Sequence, residues 1–284
     1  MTRRHPDWLK VRIGSGEQYH KVKTLLRNTK LHTICEEAKC PNIAECFGNG
    51  TAVFLILGAR CTRSCTYCNV THGSPSAVND QEPQAVAESV RTLGLQYVVV
   101  TSVTRDDLPD GGAQVFFETI TAIKQRNTTC KVEVLIPDFQ GDATALHTVL
   151  DAHPDVLNHN IEVVEPLFPT IRPQGNYQTS LGLLRKAKNI DAHLVTKSGL
   201  MVGLGENPEQ VIATMKDLRH ASVDVLTIGQ YLQPTKSHTA IKKYYTPTEF
   251  QEFKAVALDL GFMHVESGSL VRSSYHAEKA FAAP

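Results

Sequence analysis

The sequence predicts an α/β fold, an incomplete TIM-type (β/α)6 barrel flanked by N-terminal and C-terminal extensions. Three observations carry this prediction. Short runs rich in Val, Ile and Leu, mostly apolar on both faces, recur through the middle of the chain, as parallel strands covered by helices do. Helical stretches lie between these runs. No composition shift interrupts the alternation, and about six βα units are countable, short of the eight that close a barrel.

The first strand is read at 53–57, within the longest apolar run, Ala52-Val-Phe-Leu-Ile-Leu57, and a helix at 83–93 follows. Strand 97–100 leads to helix 113–125, strand 132–136 to helix 143–152, and strand 156–162 to helix 180–190. The fifth strand runs from 193–195 on to Gly203. Its helix, 209–221, has a readable start, with Asn207 as N-cap, Pro208 at the first helical position and Gln210 three residues after the cap. Strand 223–228 ends the series. Residues 51–232 are assigned to the partial barrel. Residues 1–50 form an N-terminal extension with a basic helical stretch at 21–30 and a cysteine-bearing loop. Residues 233–284 form a C-terminal extension with Pro234, Tyr244-Tyr245-Thr246-Pro247, a helix near 248–260 and a polar tail.

A chain of 284 residues supports a full core, and 42% hydrophobic with 20% charged residues argues against disorder. Lys+Arg and Asp+Glu are both 29, so no basic excess points to nucleic acid. No run approaches the roughly 18 apolar residues of a membrane span. The start, Met1-Thr-Arg-Arg-His-Pro-Asp-Trp-Leu, has charge without an apolar stretch behind it and reads as no secretory signal. A cytoplasmic, reducing location is expected, where seven cysteines favour metal or redox chemistry over disulfides.

Cys61, Cys65 and Cys68 form C-x3-C-x2-C directly after the first strand, at the strand's carboxyl end where barrel enzymes build their sites. Cubane iron–sulfur clusters normally take four thiolates. Three cysteines in eight residues wrap three corners and leave one iron open, whereas structural zinc prefers paired C-x2-C units. Cys35, Cys40 and Cys46 are spaced C-x4-C-x5-C, and this spacing alone leaves zinc and a second cluster both open. Cys130 stands alone before an apolar strand and reads as a buried structural thiol.

The first triplet, in Gly58-Ala-Arg-Cys61-Thr-Arg-Ser-Cys65-Thr-Tyr-Cys68, resembles the radical S-adenosylmethionine superfamily. Leu31-His-Thr-Ile-Cys-Glu-Glu-Ala-Lys-Cys-Pro-Asn42 and Thr101-Ser-Val-Thr-Arg-Asp-Asp-Leu-Pro-Asp-Gly-Gly112 narrow that resemblance. So do His159-Asn-Ile-Glu162, Lys197-Ser-Gly-Leu-Met-Val-Gly-Leu-Gly-Glu206, Gly229-Gln-Tyr-Leu-Gln-Pro-Thr235 and Arg272-Ser-Ser-Tyr275. In this order, over nearly the whole chain, they resemble the lipoyl synthase family. The resemblance implies two 4Fe-4S clusters and S-adenosyl-L-methionine as cofactors. The first triplet would make a 5′-deoxyadenosyl radical, and Cys35, Cys40 and Cys46 would hold an auxiliary cluster. Its fourth ligand would be a serine of the R-S-S-Y segment, Ser274 or its neighbour Ser273. The implied reaction is insertion of two sulfur atoms at C6 and C8 of a protein-bound octanoyl-lysine, with the auxiliary cluster as sulfur source. The implied partners are an octanoylated lipoyl carrier, such as glycine-cleavage H protein or a 2-oxoacid dehydrogenase E2, and a low-potential donor such as ferredoxin or flavodoxin.

Further site residues follow with it. Tyr67 is placed to pack near the adenine, and Thr101 and Ser102 to hydrogen-bond the amino group of S-adenosylmethionine. Glu162 and Lys197, which end the fourth and fifth strands, suit a ribose or carboxylate contact, and Arg272 suits the serine segment or the cluster sulfides. Val163-Val164-Glu165 departs from the family pattern, where a Thr is expected soon after Glu162. Lys21, Lys23, Arg27 and Lys30 read as a solvated helix face or, more sharply, a docking face for an acidic carrier. Two other classes compete: a radical enzyme whose second cluster only relays electrons, and a ferredoxin-like carrier without catalysis. Gly14-Ser15-Gly16 and Gly203-Leu204-Gly205 lack the third glycine of a dinucleotide fingerprint, and no P-loop, G-x-S-x-G or HExxH occurs.

Overall fold

The computed structural model describes residues 6–11, 16–49 and 51–278. Residues 1–5 of the charged start, and Gly14 and Ser15 of the first glycine pair, lie outside them.

Ten strands occur among the described residues: β1 (His32–Thr33), β2 (Val53–Ile56), β3 (Arg60–Cys61), β4 (Thr71–His72), β5 (Tyr97–Ser102), β6 (Lys131–Leu135), β7 (Val156–Asn158), β8 (Val195–Val202), β9 (Val225–Gln230) and β10 (His264–Gly268). Eight form one sheet in the order β1-β2-β5-β6-β7-β8-β9-β10, while β3 and β4 pair separately. Every neighbouring pair of the large sheet is parallel except β1 with β2. Helices Glu82–Leu93, Ala113–Arg126, Ala143–Asp151, Tyr177–Ile190 and Pro208–His220 connect successive parallel strands. The fold is therefore α/β with a mostly parallel sheet. β2 and β9 are buried along their whole length, which is why they read as unbroken apolar runs.

The count of six parallel strands needs correction, because β10 pairs parallel with β9 as a seventh. Its residues, His264-Val-Glu-Ser-Gly268, alternate between half-buried and buried. Such a strand carries no Val/Ile/Leu run, so the C-terminal extension extends the sheet without the apolar signature of the others. The fourth strand is shorter than 156–162. It stops at Asn158, the Ile161 amide is taken by the Ser198 hydroxyl, and Glu162 adopts φ 69° in the left-handed region, so only an isolated bridge to Leu200 remains.

Local signals place the helices. Asn207 and Gln210 form the capping box expected of Pro208–His220, and Thr246 with Glu249 forms another on Pro247–Asp259. Among the described residues no helix is long and apolar enough to cross a membrane.

Candidate active site

A cavity of about 520 Å³ opens at the carboxyl ends of the strands, and all six cysteines of the two triplets line it. Arg272, Ser273, Ser274 and Tyr275 line it too. The two cysteine loops, far from the R-S-S-Y segment in sequence, thus meet around one space. Cys130 lies outside it, buried, with burial pushing its thiol up to about 11.

The loop bearing Cys61, Cys65 and Cys68 is anchored from several sides. Arg63 donates from Nε and Nη2 to Asp106 at 2.7 and 2.9 Å, and from Nη1 and Nη2 to Asp138 at 2.7 Å each. Thr66 donates its amide to Ile171 O at 3.0 Å and shares a 2.7 Å hydroxyl contact with Thr239. His238 Nε2 lies 3.0 Å from the Cys68 carbonyl. Asn69 donates from Nδ2 to Glu37 O at 2.7 Å, tying this loop to the other cysteine loop. The second loop is tied in turn to the C-terminal segment. Asn42 Nδ2 donates to Leu270 O at 2.7 Å, and the Tyr275 hydroxyl donates to Glu45 at 3.0 Å.

Burial pushes the thiols of Cys35, Cys46 and Cys68 up to about 12 and raises those of Cys40 and Cys65. Cys35 and Cys46 each feel the charge of Cys40, and Cys68 that of Cys65 and Cys61, so each triplet is a local group. Among the described residues no three His, Cys, Asp or Glu side chains converge as around a single metal ion. Thiols grouped in threes on one cavity wall are donors that a 4Fe-4S cluster takes.

The other expected residues divide. Tyr67, Thr101, Ser102, Glu162 and Arg272 line the cavity. The Thr101 hydroxyl is already used, donating to Leu135 O at 2.9 Å, whereas Ser102 Oγ is buried without a partner. Glu162 accepts from Asn160 Nδ2 at 3.1 Å, and burial raises its carboxyl. Arg272 is half-buried, and its desolvation lowers its guanidinium pKa against the opposing pull of Cys40. Lys197 is a correction: it does not line the cavity. Its side chain is 1% exposed and donates to Glu133, itself 0% exposed, at 3.0 and 3.2 Å. Gly199, two residues on, lines the cavity instead, so Lys197 sits one layer deeper in the strand.

Sequence reasoning missed Arg63, Asp106, Asp138 and Arg172. Arg172 lines the cavity, lies 5.2 Å from the centre of the Phe168 ring and leaves Nε buried without a partner. Asn160 Oδ1 is likewise buried and unpaired. Orphaned donors and acceptors on the wall of this cavity fit a ligand bearing both carboxylate and hydroxyl or amino groups. S-adenosylmethionine has this donor set.

Residues 55–218 match the model of the radical S-adenosylmethionine superfamily, and residues 1–40 match that of the N-terminal domain of lipoyl synthase. The chain is 55% identical to lipoyl synthase of Rubrobacter xylanophilus over 274 residues, covering 96% of this chain and 85% of that one. It is 54% identical to lipoyl synthase of Geobacillus thermodenitrificans over 277 residues, covering 97% and 93%. The chain belongs to the lipoyl synthase family. As a radical S-adenosylmethionine enzyme it uses a 4Fe-4S cluster and S-adenosylmethionine, and the lipoyl synthase family inserts sulfur. Solved structures agree on the fold at low identity. Methylornithine synthase superposes with a TM-score of 0.54 at 14% identity, covering 92% of this chain and 86% of that one. Streptococcus suis SuiB bound to precursor peptide superposes with 0.59 at 10% identity, covering 93% and 54%.

Proposed function

We propose that this member of the lipoyl synthase family works with two 4Fe-4S clusters facing one cavity, a radical cluster on Cys61, Cys65 and Cys68 and an auxiliary one on Cys35, Cys40, Cys46 and Ser274. The observation that carries the reading is the convergence of both triplets and the R-S-S-Y segment on one cavity. The sheet is best read as an incomplete barrel, with residues 51–232 as its body and 1–50 and 233–284 as the parts that bring the auxiliary ligands to its mouth. When bound, these groups supply a carbon radical able to take hydrogen from an unactivated C–H bond, and sulfide to replace it at C6 and C8 of an octanoyl-lysine.

The chain's own residues prepare that chemistry. Ser102 Oγ and Asn160 Oδ1 offer hydrogen bonds to amino and ribose groups, and Arg172 Nε offers one to a carboxylate. Tyr67 and Glu162 border the same region. Leu55, Val103, Leu135 and Leu200 give the octanoyl chain an apolar wall and keep water from the radical. The carrier is a lipoyl-carrier protein such as glycine-cleavage H protein or an E2 domain, the electron donor a ferredoxin or flavodoxin, and the compartment the cytoplasm.

Iron and sulfide analysis of anaerobically purified protein tests this reading. About eight of each are expected in the wild type, and about four after alanine replacement of either triplet. Only the variant keeping Cys61, Cys65 and Cys68 should still cleave S-adenosylmethionine. Bound zinc in place of iron at Cys35, Cys40 and Cys46 would defeat it.

A further inference from the structure

The geometry points to Arg63 as a positioning residue that locks the Cys61–Cys68 loop in its ligating shape before any cluster arrives and aims a backbone amide at the Cys61 sulfur. The inference rests on the reading that this triplet holds the radical cluster.

Arg63 lies between the first two cysteines, with its side chain 5% exposed. One guanidinium serves two carboxylates with four hydrogen bonds of 2.7–2.9 Å. Asp106 lies beyond β5 and Asp138 beyond β6, so the loop is fastened to two strand ends at once. The fastening continues through the neighbours. Thr62 donates both its amide and its hydroxyl to Thr104 O at 3.0 Å, and the Asp106 amide donates to Thr62 Oγ1 at 3.1 Å. Gln140 Nε2 donates to Asp106 at 3.0 Å, and the Gln140 amide donates to Asp138 at 3.0 Å. With its side chain pinned, Arg63 places its own amide 3.4 Å from Cys61 Sγ.

None of this requires a metal. A buried charge group is a weak way to gain stability, since apolar packing of equal volume does as well. Its value lies in fixing one geometry, because paired forks are directional. The second cysteine loop has no such buried fork among the described residues; its ties to the C-terminal segment are the Asn42–Leu270 amide–carbonyl bond and contacts of Glu45 with Tyr275 and His276. A buried guanidinium fork on the radical loop, with none on the auxiliary loop among the described residues, suits one cluster that persists and one that is consumed. Asp106 and Asp138 share Arg63, while Arg172 adds a second positive charge near Cys65, and charges so placed, like N–H to sulfur bonds, set a cluster's potential.

Amide hydrogen exchange on the metal-free protein tests the inference, followed by redox titration of the reconstituted protein. In Arg63→Lys, which keeps the charge but not the fork, exchange at residues 62–66 should rise about tenfold or more, while residues 36–45 keep wild-type exchange. Asp106→Asn, which retains the Asp138 pair and so the fold, should raise the radical cluster's midpoint potential and leave the auxiliary cluster's unchanged. Wild-type exchange at 62–66 in Arg63→Lys would overturn it, and so would an unshifted radical-cluster potential in Asp106→Asn. Cys61→Ala is the separate control: if it leaves the full cluster content, the assignment of the triplet fails, whatever the exchange result for Arg63.

Discussion

Gly229→Ala should disable sulfur insertion while sparing radical generation. Gly229 lies in β9, and a Cβ there would stand 2.2 Å from the Val271 carbonyl oxygen, 3.2 Å from its carbon and 3.4 Å from Arg272 Nη1. Ordinary contact begins near 3.4 Å, so the Val271 carbonyl must retreat by about 1 Å. The obstacle is backbone, not the far end of a flexible side chain. That carbonyl also accepts from Arg272 Nη1 at 2.6 Å, so the displacement passes directly into Arg272-Ser273-Ser274. Overpacking of this kind costs about 1–3 kcal/mol, which a domain of this size survives. A 1 Å misplacement at a reacting site costs about 100-fold in rate. The assay is single turnover with an octanoylated carrier peptide, reductant and S-adenosylmethionine. 5′-Deoxyadenosine should form at near wild-type rate while dithiolated product falls about 100-fold. Dithiolation at the wild-type rate would refute the idea that the β9–Val271 contact seats the serine segment.

Three further outcomes follow from the buried groups. Lys197→Met strands the Glu133 carboxylate and should cost about 3–5 kcal/mol in urea unfolding, with Glu133→Gln added in the same chain recovering part of it; affinity for S-adenosylmethionine per folded molecule should hold. Arg172→Ala should weaken S-adenosylmethionine binding about tenfold or more by calorimetry, and an unchanged affinity would remove Arg172 from the site. Burial brings His159 from 6.5 down to about 4, so the ring is neutral in the fold, with its two nitrogens at Ile136 O and Ser180 Oγ. Because the unfolded chain takes up the proton first, stability is full above about pH 6.5 and falls by up to about 3 kcal/mol towards pH 4. In metal-free His159→Gln that slope should flatten; the wild-type slope in the variant would assign it elsewhere.

The chemistry of this chain was legible where it is local. Thiolate ligation packs three cysteines into eight residues, so Cys61, Cys65 and Cys68 announce themselves, and the Asn207 cap is written within four residues. What depends on distant partners was not. Arg63 meets Asp106 43 residues away and Asp138 75 away, and nothing in the composition of either stretch marks the pairing. Lys197 misled because a polar residue in an apolar strand looks functional; register, which sequence does not display, sends it inward to Glu133. β10 was hidden by its alternation, and Ser274 had no signal of its own beyond the family resemblance.

In the proposed reaction the Cys35, Cys40 and Cys46 cluster gives its sulfur to the product. Single turnover of protein freed of loose sulfide, followed by separate quantification of sulfide and dithiolated peptide, tests it most directly. Sulfide should disappear as dithiolated product appears, with the Cys61, Cys65 and Cys68 cluster intact. Dithiolated product alongside an undiminished auxiliary cluster would contradict it.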